Sequence, residues 1–155
     1  GFKGRKQYIL PGEIVRKSFQ AGMFIEKKIE TKPEMAASRF HRNSPQVLSS
    51  PSLVTLMQTT CADLMAPFLD SSEMVVSVRI EMNHFASAPI GSTILVKAEI
   101  LKIEGDKVYF RIDAHDEFER IAAGFNDMYI INEERFEKGV KKKLDSLAGM
   151  RVRSA

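Results

Sequence analysis

Apolar positions change their period along the chain, and the change divides it into elements. From Ser49 to Asp70 the sequence reads SSPSLVTLMQTTCADLMAPFLD, with few charges. Leu53, Leu56, Met57, Thr60, Cys61, Leu64, Met65 and Phe68 follow the i, i+3, i+4, i+7 spacing of one helical face. Ser50 followed by Pro51 marks the start, because serine accepts an N–H of the first turn and proline at the first helical position loses nothing there. Pro67 kinks or ends the helix. Beyond it the period falls to two. In Met74 to Phe85, Val75, Ser77, Arg79 and Glu81 face one way and Val76, Val78, Ile80 and Met82 the other. A turn with Pro89 and Gly91 follows. Thr93 to Ile103 places Ile94, Val96, Ala98 and Ile100 on one face, and Glu104-Gly105-Asp106 makes a tight hairpin. Lys107 to Asp116 answers with Val108, Phe110, Ile112 and Ala114 inward, and Glu119 to Asn132 is the last strand.

Upstream, Ala21 to Thr31 carries Met23, Ile25 and Ile29 and reads as a first strand; residues 32–48 form a loop. Glu133 to Leu147 reads as helix, since Phe136, Val140, Leu144 and Leu147 form a stripe despite Gly139. The pattern predicts an α+β domain: strand, helix, then four strands joined by short turns, with a C-terminal helix. A helix of about 20 residues is about 30 Å long, enough to be wrapped by a curved antiparallel sheet of about five strands. The expected organisation is an irregular lead-in over 1–20 (Pro11-Gly12 marks a turn), one domain over 21–147 and a frayed tail over 148–155.

Composition narrows the function classes. A chain of 155 residues with 44% hydrophobic content is one globular domain by size. Eight Met, ten Phe and no Trp suit an adaptable apolar interior. A net charge of +3 suits an anionic ligand and is too weak to indicate nucleic acid. One cysteine excludes an internal disulfide framework and fits a reducing, cytoplasmic setting. No run of 18 apolar residues occurs, so no membrane span is expected. Residues 1–10 lack the apolar segment of a signal peptide, and Gly1 reads as a processed terminus or an expression scar.

The residues that can carry chemistry are few. His84 closes a strand just before a Pro/Gly turn; it is either a surface histidine or a proton shuttle exposed to a cleft. His115 reads as a solvated strand residue, and His41 lies in a loop made basic by Arg39 and Arg42. Ser50 is an N-cap by position, and it also stands where first-turn N–H groups and the helix dipole favour a developing oxyanion. Gln58 lies two turns on, about 80° around the helix from Ser50, so both can border one groove. Cys61 falls on the apolar stripe and reads as core; Asp63 points away from it and reads as solvent-facing. No HExxH, CxxC, GxGxxG, Walker or GxSxG pattern occurs, which removes the zinc, nucleotide and serine-hydrolase signatures. Lys141, Lys142 and Lys143 read as a solvated helix face.

Three stretches together resemble one family. VLSSPSLVTLMQTTCADLMAPFL, VRIEMNHFASAPIGSTILVKAEILKIEGDKVYFRIDAHDE and IAAGFNDMYIINEERF, within residues 46–137, are similar to the fluoroacetyl-CoA thioesterase-like branch of the hotdog-fold thioesterases. The resemblance implies a hotdog fold and hydrolysis of a small acyl-CoA, with coenzyme A as part of the substrate and no separate cofactor or metal. It also implies a homodimer with sites built across its interface. In that family a threonine near the helix start, a glutamate two turns on and a histidine ending the next strand form the catalytic set; by position these fall on Ser50, Gln58 and His84. Gln58 replaces a carboxylate with an amide, which positions partners but takes no proton. A non-catalytic acyl-CoA-binding protein is the alternative this implies. Arg39 and Arg42 would suit CoA phosphates. A hotdog hydratase, which needs a His on the helix, ranks below both because Ser49 to Asp70 has none.

Overall fold

The computed structural model describes residues 2–3 and 19–154. The expected lead-in therefore lies mostly outside the described residues; Phe2–Lys3 forms a short strand, β1. The remaining elements are β2 (Phe24–Glu30), α1 (Ser50–Met65), β3 (Glu73–His84), β4 (Thr93–Glu104), β5 (Lys107–His115), β6 (Arg120–Asn132) and α2 (Glu133–Ser154). One antiparallel sheet has the order β1-β2-β4-β5-β6-β3, so β3 is an edge. Its concave face covers α1, which packs on β4, β2, β3 and β5.

The alternation in β4 and β5 sets that face. Ile94, Val96, Ala98, Ile100, Val108, Phe110, Ile112 and Ala114 are all buried, and they meet Leu53, Met57, Cys61, Leu64 and Met65 of α1 in one core. Each such large side chain contributes about 1.5–3 kcal/mol by leaving water. Leu56, at the margin of the stripe, is only partly buried. Gly105 turns the β4–β5 hairpin at φ 59°, a left-handed conformation that glycine adopts without steric cost.

Four details refine or correct the sequence expectation. The N-cap is Ser49: its backbone is extended and its side-chain Oγ accepts the Ser52 N–H at 3.1 Å; Ser50 is already inside the helix. Ser50 is thus released from capping. After Met65 the chain tightens into a 3₁₀ turn over Ala66–Phe68, because Pro67 has no N–H to continue the α ladder. The expected frayed tail is helical over its described residues 148–154: α2 continues to Ser154, and Gly139 and Gly149 do not interrupt it.

The fourth difference is in β3. A bulge between Ser77 and Arg79 inserts Val78. Before it, Val75 and Ser77 pair with Ile130 and Met128 on the helix-facing side of β6. After it, Arg79 pairs with Asp127 on the outer side, and Ile80, Met82 and His84 pair with Asn126, Gly124 and Ala122 on the helix-facing side. Strict alternation would have kept Ser77 and Arg79 together. The inserted residue changes the face, and it is what brings His84 to the α1 side.

Gly124 lies under that strand: a Cβ there would stand 2.0 Å from the Glu81 carbonyl oxygen. Gly139, in exposed α2, has nothing within 4 Å. Gly124→Ala is expected to lower the melting temperature strongly or prevent folding. Gly139→Ala should raise the helicity of α2 with a gain of about 1 kcal/mol or less. Thermal unfolding followed by circular dichroism checks both.

Candidate active site

Two elements from distant parts of the chain meet at the start of α1. Ser50 begins the helix, and His84 ends β3. Ser50 Oγ lies 2.8 Å from His84 Nδ1. The other ring nitrogen, Nε2, is buried and has no hydrogen-bond partner among the described residues. The pair is therefore a hydroxyl bonded to an imidazole whose second nitrogen is left without a partner.

The surrounding backbone is held firmly. Leu48 N–H donates to the Ala88 carbonyl at 2.8 Å and Ser49 N–H to the Met35 carbonyl at 2.9 Å. Val47 bridges to Pro89. Buried Thr31 donates its hydroxyl to the Ser92 carbonyl and accepts the Gly91 N–H at 2.9 Å, tying the β3–β4 turn to the end of β2. These bonds clamp the segment before α1 against the turn after β3, which fixes Ser50 relative to His84.

The first turn of α1 leaves few open donors. Pro51 has no N–H, the Ser52 N–H is taken by Ser49 Oγ, and the Leu53 N–H bonds the Ser49 carbonyl. The Ser50 N–H has no acceptor of this kind among the described residues. A single free donor at the positive end of the helix dipole thus stands beside the Ser50–His84 pair, suited to an oxygen that gains negative charge.

Two cavities open at the pair. One, of about 260 Å³, is lined by Ala37, Phe40, His41, Leu48, Ser50 and His84 among others. The second, of about 300 Å³, is lined by Val47, Ser50, His84, Phe85, Ala86 and Ser87 with Leu48. A cavity of about 510 Å³ at the root of α2 is larger, but it holds no comparable pair of reactive groups.

The structure brings together only part of the expected set. Ser50 and His84 touch. Gln58 lies on α1 about 12 Å further along the axis and lines neither cavity. Arg39, on a 3₁₀ turn over Ala37–Arg39, and Arg42, in the following loop, are exposed; their neighbours Phe40 and His41 line a cavity but they do not. Asp63 pairs with Lys27 of β2, on the opposite flank of α1 from β3. The sequence reading passed over Val47, Leu48 and Phe40 as loop. The only local sign was an apolar Val47-Leu48 pair directly before the helix cap.

Cys61 is excluded as a nucleophile by its surroundings. Burial pushes its thiol up to about 12. The thiolate is scarce well below that value.

Comparison with known proteins identifies the family. The model of the fluoroacetyl-CoA-specific thioesterase family matches residues 31–134. The chain belongs to that family. The fluoroacetyl-CoA thioesterase of Streptantibioticus cattleyicolor is 33% identical over 99 residues, which are 64% of this chain and 71% of that protein. A solved structure of the fluoroacetyl-CoA thioesterase FlK superposes with a TM-score of 0.75 at 27% identity, covering 81% of this chain and 97% of that one. A Thermus thermophilus member of the thioesterase superfamily gives 0.77 at 26% identity, covering 83% and 96%. The helix wrapped by a curved sheet is the hotdog fold, and the chain is a thioesterase-type hotdog protein.

Cys61 should resist thiol reagents in the native protein at pH 8 and react fully after unfolding in guanidinium. An absorbance assay of released aromatic thiolate measures both rates.

Proposed function

We propose that this protein hydrolyses the thioester of a small acyl-CoA, with Ser50 and His84 at the reacting end. The observation that carries the reading is the 2.8 Å bond between Ser50 Oγ and His84 Nδ1 beside a free N–H at a helix start. The thioester oxygen would accept the Ser50 N–H. Ser50 Oγ would hold the imidazole, and His84 would take a proton from an attacking water. The water oxygen bonds to the carbonyl carbon, the C–S bond breaks, and His84 returns its proton to the departing CoA thiolate. The products are a free acid and CoA, with no separate cofactor. Arg39 and Arg42, exposed on the segment that forms one cavity wall, would face the CoA phosphates.

The working unit in this reading is a homodimer. Among the described residues β3 is an unpaired sheet edge that exposes Val78 by 52% and Ile80 by 37%, an open template for a second copy. Pairing there would enclose the groove between α1 and β3. Gln58, on that flank of α1, would then line it and orient the substrate or water. A reducing cytoplasmic setting fits one buried cysteine.

Gln58 also favours a second reading, an acyl-CoA-binding protein without turnover, since the family's glutamate is an amide here. An acyl-CoA panel with spectroscopic detection of released thiol separates the two. Hydrolysis should fall by about 10²-fold or more in His84→Ala. Ser50→Ala keeps the N–H and loses only the bond to the ring, so a loss of about 10-fold is expected, corresponding to about 1.4 kcal/mol. Binding of acyl-CoA with no thiol release above background would support the second reading instead.

Gln58→Glu gives an independent comparison. If the groove is a degenerate form of the family's site, the carboxylate should raise turnover; if the amide positions substrate, turnover should drop while His84 dependence persists.

A further inference from the structure

A thioester has two arms, and two cavities open at the Ser50–His84 pair. Both are lined by Val47, Leu48, Ser50 and His84. They differ in the far wall. The cavity of about 260 Å³ is closed by the loop before α1, through Ala37, Phe40 and His41. The cavity of about 300 Å³ is closed by the turn after β3, through Phe85, Ala86 and Ser87. Charge separates the two walls. Over residues 32–48, Lys32, Arg39 and Arg42 stand against Glu34 alone. Behind the other cavity the balance is acidic. Phe85 N–H donates to the Ile121 carbonyl at 2.7 Å, which sets that wall against the start of β6. The Arg120 guanidinium lies 5.3 Å from the Phe85 ring centroid, but it is paired with Asp113, and Asp116, Glu117 and Glu119 fill the adjoining loop. The phosphates of coenzyme A suit the basic wall and are repelled by the acidic one. In the thioesterase reading this puts the CoA arm in the cavity that His41 lines and the acyl group in the other.

His41 is thus a second imidazole on the wall of the cavity that Ser50 and His84 share. Its backbone is fixed. Its N–H donates to the Ala37 carbonyl at 3.0 Å, and its carbonyl accepts the Ser44 N–H at 3.2 Å. Ala37 N–H donates to the Val47 carbonyl at 2.8 Å and closes the loop at its base. Asn43 turns the chain at φ 70°, a left-handed conformation that asparagine adopts more readily than most residues. The side chain of His41 is exposed and has no hydrogen bond or ion pair among the described residues. A neutral imidazole has one N–H to donate and an imidazolium has two, so donation from this ring does not depend on its charge.

We propose that His41 is a further catalytic residue, donating an N–H to the CoA sulfur as the C–S bond breaks. The proposal rests on the reading of the site as a thioesterase. Three atoms change charge in that reaction, and each then has a partner. The carbonyl oxygen has the Ser50 N–H, the attacking water has His84, and the sulfur has His41. When the C–S bond breaks, its electron pair stays on sulfur, and the His41 N–H stabilises that charge until the proton carried by His84 arrives. His41 keeps its own proton throughout. The competing role for His41 is a contact with CoA phosphate, shared with Arg39 and Arg42. Its place on the cavity wall, which neither arginine lines, favours the sulfur.

Three thioesters of one acyl group test this on the full-length protein: the CoA ester, the N-acetylcysteamine ester and the thiophenol ester. The second releases an alkyl thiol like that of CoA but has no phosphate. The third releases an aryl thiolate, which leaves with little help. His41→Ala should lower kcat about 10-fold on the first two and less than about 2-fold on the third, with melting unchanged. His41→Gln, which keeps an N–H donor, should recover most of the loss. A rise in KM on the CoA ester alone would make His41 a phosphate contact and overturn the proposal. So would an equal loss on all three esters, which marks a structural role, or no loss on any of them while the wild-type protein is active. A wild-type protein that hydrolyses none of the three fails at the thioesterase reading itself, and the role of His41 falls with it.

Discussion

The packing of one face of α1 into the concave side of the sheet is the constraint on which the rest of the molecule depends. Leu53, Met57, Cys61, Leu64 and Met65 are fully removed from water there, against the inward rows of β4 and β5. A close-packed core of this kind does not slide: shifting the helix by a fraction of a turn would open voids under several side chains at once. The position of the helix start is therefore fixed by groups well away from it. The Ser50–His84 bond, a modest interaction by itself, forms because the core has already set the distance between the two elements.

The site uses three backbone devices that have no catalytic chemistry of their own. Ser49 takes over the capping role and frees the Ser50 hydroxyl to bond the imidazole. The Val78 bulge changes the face of β3, so that His84 looks toward α1 and not toward Arg79 and Asp127 on the outer side. The bonds from Leu48 to Ala88 and from Ser49 to Met35 hold the segment before the helix in place. The cap and the bonds before the helix also satisfy backbone polar groups that would otherwise be left without partners near the core. The geometry of the Ser50–His84 pair rests on these devices.

Among the described residues, β3 and α2 each leave a surface open in a single chain, and both originate at the same corner. β3 begins at Glu73 opposite Asn132, and α2 departs from the next residue, with Glu133 N–H bonded to the Ser72 carbonyl at 2.9 Å. An unpaired strand edge with Val78 and Ile80 exposed, and a helix with an uncovered apolar stripe, are both unfavourable in isolation. Their shared corner means that association of two chains through the sheet edge would also bring the helix roots under a common geometry.

The sequence by itself determined the elements and their faces. A helical period over Leu53 to Met65 and a period of two from Ile94 to Ile100 and through β5 follow directly from how Cβ atoms project from each backbone; the α period ends before the 3₁₀ turn at Ala66, and a register shift follows Ile100 in β4. The stripe of α2 was readable for the same reason, and so was the placing of His84 at a strand end. Tertiary structure decided what local pattern does not encode. A bulge adds one residue without any composition signal, so the face reached by His84 could not be counted from Met74. Ser49 and Ser50 are chemically identical candidates for the cap, and only the backbone angles set by the Met35 and Ala88 contacts select Ser49. Gln58 showed the limit of angular reasoning: an offset of about 80° places it on the same side as Ser50, but about 12 Å of helical rise keeps it out of the cavities at Ser50. Which side chains share a face is a local property of the chain; which ones share a site depends on long-range register and packing.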